Sequence, residues 1–189
     1  MDGTTVQGSG NDDTLTAFTE TGFTLGDDVV VNTNNEKYVS WNWKANGGTT
    51  SSYTATGADD AVTMQRNVDA GFSICQYAGS SNKNRTIGHG LRVGDVDTKP
   101  DMMIIKSYDY AGGWIVWHKD MTNPTQHYLK LDLADATAPH STDIWNQTAP
   151  TSVLVHLGND NAVNKTGSNF ISYFFASVEG YSKIDTFEG

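Results

Sequence analysis

Apolar and polar residues alternate along this chain in short runs, and no stretch holds a helical period for three turns. Alternation sends successive side chains to opposite faces, which fits half-buried strands. It predicts strands at 22–25, 38–44, 71–77, 102–106, 113–117, 126–131, 152–157, 169–176 and 181–187. Turn signals recur at roughly 8–12-residue intervals. Pro100 imposes an extended approach to the run "MMIIKS". Ala111-Gly112-Gly113 reads as a hairpin turn. In "FISYFFAS", Ile171, Tyr173 and Phe175 share one face while Phe174 stands opposite, so that strand is apolar on both sides and predicted central. Residues 131–141 support at most one helical turn before Pro139. The fold class that follows is all-β: an antiparallel β-sandwich, jelly-roll-like.

The chain also repeats itself. "TLGDDVVVN" (24–32) is echoed by "HLGNDNAVN" (156–164), and "YVSWNWKA" (38–45) by "FISYFFAS" (170–177). One offset, without a gap, carries Leu25-Gly26 onto Leu157-Gly158, Val31-Asn32 onto Val163-Asn164, Ser40 onto Ser172 and Trp41 onto Tyr173. "GFSICQYAG" (71–79) likewise resembles "GYSKIDTFEG" (180–189) with one residue inserted. Such recurrence suits a fragment of a tandem array. In that reading residues 1–46 close one repeat, 47–70 are a polar linker, 71–179 form a complete sandwich repeat, and 180–189 open the next. Two similar hairpins within one pseudo-symmetric sandwich are the alternative.

Bulk properties narrow the function classes. A net charge of −10 with no basic run argues against a nucleic-acid partner. No apolar run is long enough to span a membrane, and the first residues lack the basic and apolar regions of a signal peptide. The single Cys75 sits in an alternating run and is expected to be a small core residue rather than a nucleophile.

Several side chains are candidates for chemistry. His89, flanked by glycines in "TIGHGL", suits either a ligand-contacting loop or a turn in which the ring bonds to backbone. His118 follows the strand "GWIVW" and precedes Lys119-Asp120, where it either serves a site or ends a strand at the surface. His127, His140 and His156 add no zinc spacing. Trp114 and Trp117 fall on opposite faces of one strand, so one of the two is an exposed indole able to stack on a sugar ring. Trp41 and Trp43 share a face and are expected in a core. Asp27, Asp28 and Asp160 offer oxygen ligands to calcium, although Asx-rich turns form without metal. Asn32 and Asn164 are expected to cap those turns. No strand carries the paired carboxylates of a glycosidase.

Taken together, "YVSWNWKA", "GFSICQYAG", "TIGHGL", "KPDMMIIKS", "GGWIVWHKDM" and "NFISYFFASVEGYSKI" are similar to a domain repeated in proteins of marine bacteriophages, including those infecting cyanobacteria. There it accompanies concanavalin-like lectin modules in tail-fibre-like or virion structural proteins. The resemblance covers residues 22–46 and 71–187 and brings no catalytic residue with it. It implies a non-enzymatic module at a virion surface or outside the cell, homo-oligomeric, touching other subunits of the assembly and a host-surface glycan. Two rivals stand beside it: a self-assembling capsid-decoration or fibre subunit joined by strand addition, and a glycan-active enzyme domain.

Overall fold

The computed structural model describes residues 14–46, 48–131, 133 and 141–188. They fall into two compact units, 14–43 and 44–188. In the smaller unit β1 (Leu15–Phe18) pairs antiparallel with β2 (Phe23–Leu25), and a single helical turn, α1 (Val29–Asn32), follows. The strand expected at 38–44 does not form, and the chain runs on there without regular structure. Trp41 and Trp43 are not core residues either: both are exposed, Trp41 to 75%. The physical reason lies in strand count. An apolar strand needs flanking strands to cover its faces, and the described residues of this unit provide one short hairpin.

The larger unit contains β3 (Ser51–Tyr53), β4 (Val62–Asn67), β5 (Phe72–Ala78), β6 (Arg85–Gly88), β7 (Arg92–Val93) and β8 (Val96–Asp97). After these come β9 (Met102–Ser107), β10 (Ile115–His118), β11 (Leu129–Lys130), β12 (Leu154–Leu157), the turn α2 (Asn161–Asn164) and β13 (Asn169–Phe175). Seven strands form one antiparallel sheet in the order β11-β10-β9-β13-β5-β4-β3. Two three-stranded meanders thus flank β13, which is central as its two-sided apolar pattern predicts. β6 and β12 make a separate two-stranded sheet, and β7 pairs with β8.

Residues 47–70 are therefore no linker, because they supply β3 and β4 of the main sheet. Residues 180–188 form no strand; they are tied by an isolated bridge between Val178 and Ser182 and by the Ile184 amide donating to Ser177 Oγ. The helical turn considered before Pro139, together with His140, lies outside the described residues.

The core sits between the large sheet and a thinner second layer, giving an all-β sandwich of unequal halves. From the sheet come Phe170 and Phe174 of β13, Cys75 and Tyr77 of β5, Met103 and Ile105 of β9, and Ile115 and Trp117 of β10. Against them pack Ile87 of β6, Val155 and Leu157 of β12, and Leu91, Ile144, Trp145 and Val163 from the connections. The inward face of β13 is the one carrying Phe170 and Phe174. Ile171 and Tyr173 are half-buried on the outer face. Tyr77 and Phe170 stack at 5.2 Å between ring centres across the β5–β13 pair. A pair of this kind contributes about 0.5–1.5 kcal/mol beyond the area it buries.

Candidate functional site

The repeat seen in the sequence returns as geometry. In the first copy Asp28 is extended and its carboxylate accepts from the Val30 amide at 2.8 Å. The Val31 and Asn32 amides donate to the Asp28 carbonyl, and the Asn32 side-chain amide donates back to the Gly26 carbonyl at 2.6 Å. In the second copy Asp160 accepts from the Ala162 amide at 2.8 Å, the Val163 and Asn164 amides donate to the Asp160 carbonyl, and the Asn164 side chain donates to the Gly158 carbonyl at 2.7 Å. The offset also reaches further back than the matched blocks. Thr19 N–H donates to the Gly22 carbonyl as Thr151 N–H donates to that of Leu154, and Thr16-Ala17 matches Thr148-Ala149.

What differs is the surroundings. Asn164 is fully buried, and its Oδ1 accepts from the Ser80 amide at 2.9 Å and from Arg85 at 3.3 Å. Its Nδ2 also donates to the Asn82 carbonyl at 2.9 Å. Tyr77 donates its hydroxyl to the Val163 carbonyl at 2.8 Å, and burial pushes its pKa up. Strand β12 pairs with β6, and β13 lies between β5 and β9. In the first copy Asn32 is exposed, as are Val29, Val30, Tyr38 and Val39. The same local element thus exists once inside a fold and once at a surface.

The residues singled out from sequence are scattered rather than gathered. His89 is fully buried and holds the loop: the Leu91 amide donates to Nδ1 at 3.1 Å, so Nε2 carries the proton and donates to the Thr151 carbonyl at 3.2 Å. Desolvation lowers its pKa to about 4. Of its two glycine neighbours, Gly90 has a φ of +57°, and a Cβ there would lie 2.0 Å from the Met64 sulfur. Trp117 is buried, with its indole N–H donated to the Pro124 carbonyl at 2.7 Å, so it is not an exposed sugar platform. Trp114 is half-buried. His118 ends β10 half-buried, with Nδ1 accepting from the Asp120 amide at 3.2 Å.

Asp28 and Asp160 are occupied as caps, and Asp27 is exposed on the turn. Among the described residues no three His, Cys, Asp or Glu side chains gather around one point. Cys75 is buried and its Sγ donates to the His89 carbonyl at 3.4 Å; burial raises its pKa, the opposite of an activated thiol.

Sequence reasoning missed two structural carboxylates. Asp101 accepts from the Ser177 amide and hydroxyl, both at 2.7 Å. Asp109 accepts from the backbone amide of Asn169 at 2.9 Å and its side chain at 2.8 Å. Its partial burial favours protonation, but the hydrogen bonds from Asn169 and Ser107 outweigh that and hold its pKa below the ordinary value. Neither residue has a local motif; each is recognisable only once the strand order brings 60 or more residues of separation to contact.

A polar cleft of about 480 Å³ opens beside the Asn164 network, lined by Asp59, Asp60, Ser80, Asn82, Lys83 and Arg85. Its charges pair locally, although the buried Arg85 Nε makes no hydrogen bond among the described residues. Arg85 pairs with Asp60 at 3.1 Å, Lys83 with Asp143 at 3.2 Å, and Asp59 accepts from the Thr86 amide at 2.7 Å. Among the described residues no aromatic ring lines it to offer a platform on which a sugar would stack.

No helix among the described residues is long and apolar enough to cross a membrane. No curated protein and no solved structure matches the chain. A family model does match, over residues 2–189, and the chain belongs to that family, described as a domain of unknown function (DUF7483).

Proposed function

We propose that this domain is a non-enzymatic structural module of a repeated surface assembly, tail-fibre-like or otherwise part of a virion, whose loops contact a host-surface glycan. The observation that carries the reading is the capped element present twice, once packed and once exposed: a building block is expected to display what it also knows how to cover. The deployment of the titratable groups supports a non-catalytic role. His89, Asp101 and Asp109 hold backbone, and the ion pairs of the polar cleft close on one another. The sequence resemblance to phage fibre proteins supports the virion setting. On a fibre, many weak contacts combine through effective concentration, so the isolated domain is expected to bind glycans feebly.

Immunogold labelling of intact particles with antibody to residues 44–188 tests the reading. Label on the particle surface or along a fibre is the expected result, and absence of the protein from purified particles overturns the virion role. Release of reducing ends from a host polysaccharide by the purified domain would overturn the non-enzymatic part.

A further inference from the structure

We propose that residues 38–43 of one copy of this domain pair, as an antiparallel strand, with residues 180–188 of a second copy. The inference deepens the assembly reading above and rests on it.

The packed copy shows what covers such a strand. β13 is flanked by β5 in a fixed register: Phe170 opposite Tyr77, Ile171 opposite Gln76, Ser172 opposite Cys75 and Tyr173 opposite Ile74. Residues 38–41 are the counterparts of 170–173 under the repeat offset. Their missing neighbour must therefore resemble β5. Two segments of the chain do: β5 itself, and 180–188. Both edges of β5 are already taken, by β4 and β13. Residues 180–188 are tied by a turn and bridge to Val178 and by the Ile184 amide donating to Ser177 Oγ at 3.0 Å, and their aromatic side chains face solvent, Tyr181 at 70% and Phe187 at 94% exposure. On the other side Val39 is 76% exposed. Neither segment forms a strand of its own, which leaves each available to a second copy.

Carrying the β5 register across, with Lys183 as the inserted residue, sets Tyr38 opposite Phe187, Val39 opposite Thr186, Ser40 opposite Asp185 and Trp41 opposite Ile184. Lys183 then forms a bulge, the usual way an antiparallel pair absorbs one extra residue. Tyr38 and Phe187 would repeat the stacked Phe170–Tyr77 pair. The mode is strand addition, in which main-chain hydrogen bonds supply affinity and alternate side chains supply register.

Single-cysteine variants test it. Ser40→Cys is mixed with Asp185→Cys, and separately Val39→Cys with Thr186→Cys, under mild oxidation. Opposite residues alternate between hydrogen-bonded and non-hydrogen-bonded pairs, so one of these two neighbouring pairs has the closer spacing that suits a disulfide. The expected result is a disulfide-linked heterodimer in at least one mixture. Its yield should exceed by on the order of 100-fold that of a control mixture of Ser40→Cys with Val96→Cys, because docking raises the local thiol concentration from micromolar to millimolar. Val96 is an exposed β8 residue outside the proposed register, and the native Cys75 is buried. Unchanged melting temperatures show that the variants remain folded. Yields no higher than the control in both mixtures overturn the interface, and so does a disulfide that forms only within one chain when both cysteines are placed together. Failure of particle labelling with successful cross-linking removes the virion setting alone.

Discussion

Asn32 and Asn164 make the same side-chain bond to a glycine carbonyl two residues before their own cap, yet one is exposed and the other is buried among Ser80, Asn82 and Arg85. Removing a buried amide orphans its partners, which costs far more than removing an exposed one that water replaces. Asn164→Ala is expected to destabilise the fold by roughly 2–4 kcal/mol, and Asn32→Ala by less than about 1 kcal/mol. Urea unfolding of the two variants checks the difference; equal losses would deny the contrast in environment. His89 adds a pH-dependent contribution. Its folded pKa of about 4 lies below the ordinary 6.5, so the neutral ring favours the fold. The full stabilisation is present above 6.5 and is lost as pH falls toward 4, amounting to about 3 kcal/mol. Wild type should lose stability across that window more steeply than His89→Gln, as urea midpoints at several pH values would reveal. The sequence made the backbone-bonding role of His89 legible through its flanking glycines. It did not make Asp101 or Asp109 legible, because their partners lie far along the chain and no local pattern marks them.

At the scale of elements, the packed turn α2 depends on two close backbone approaches. A Cβ on Gly158 would sit 2.0 Å from the Asp143 carbonyl oxygen, and one on Gly79 would sit 2.0 Å from that of Lys165. Backbone cannot yield as a flexible side chain can. Gly158→Ala is therefore expected to cost at least about 3 kcal/mol, or to prevent folding, with the loss read from thermal unfolding. A Tm within 2 °C of wild type would show that the turn is not clamped in this way. The strands most legible in the sequence were those whose alternation matches burial on one face, such as β5, or that are apolar on both faces, such as β9 and β13. β4 was missed although Val62 and Met64 alternate with Thr63 and Gln65, because the surrounding spacer is rich in Gly, Ser and Thr. The opposite error fell at 38–44. "YVSWNWK" has a strand's pattern, but pattern states only what a segment can pair with, and the described residues of this unit offer it no neighbouring strand.

For the whole molecule, charge and apolar exposure pull in opposite directions. Among the described residues every buried hydrophobic side chain lies between Ala55 and Ala176, so the larger unit should fold without residues 1–43. The smaller unit meanwhile exposes Phe18, Val29, Val30, Val39 and Trp41. Contact between copies would bury such side chains, a gain that salt does not weaken. The copies nonetheless repel, since each carries a net charge of −10. The proposed interface shares that sign: Glu20, Asp27, Asp28 and Glu36 outnumber Lys37 in 14–43, and Asp185 and Glu188 outnumber Lys183 in 180–188. At low ionic strength the repulsion reaches far, whereas at physiological salt it is screened within about 8 Å. Association of the full chain should therefore strengthen as sodium chloride is raised, and the chain lacking residues 1–43 should remain monomeric throughout. Sedimentation velocity at matched protein concentrations distinguishes these outcomes. If salt instead dissociates the full chain, the contact is held by ion pairs rather than by the repeated apolar element, and if the shortened chain associates equally well, the contact does not involve residues 1–43 at all.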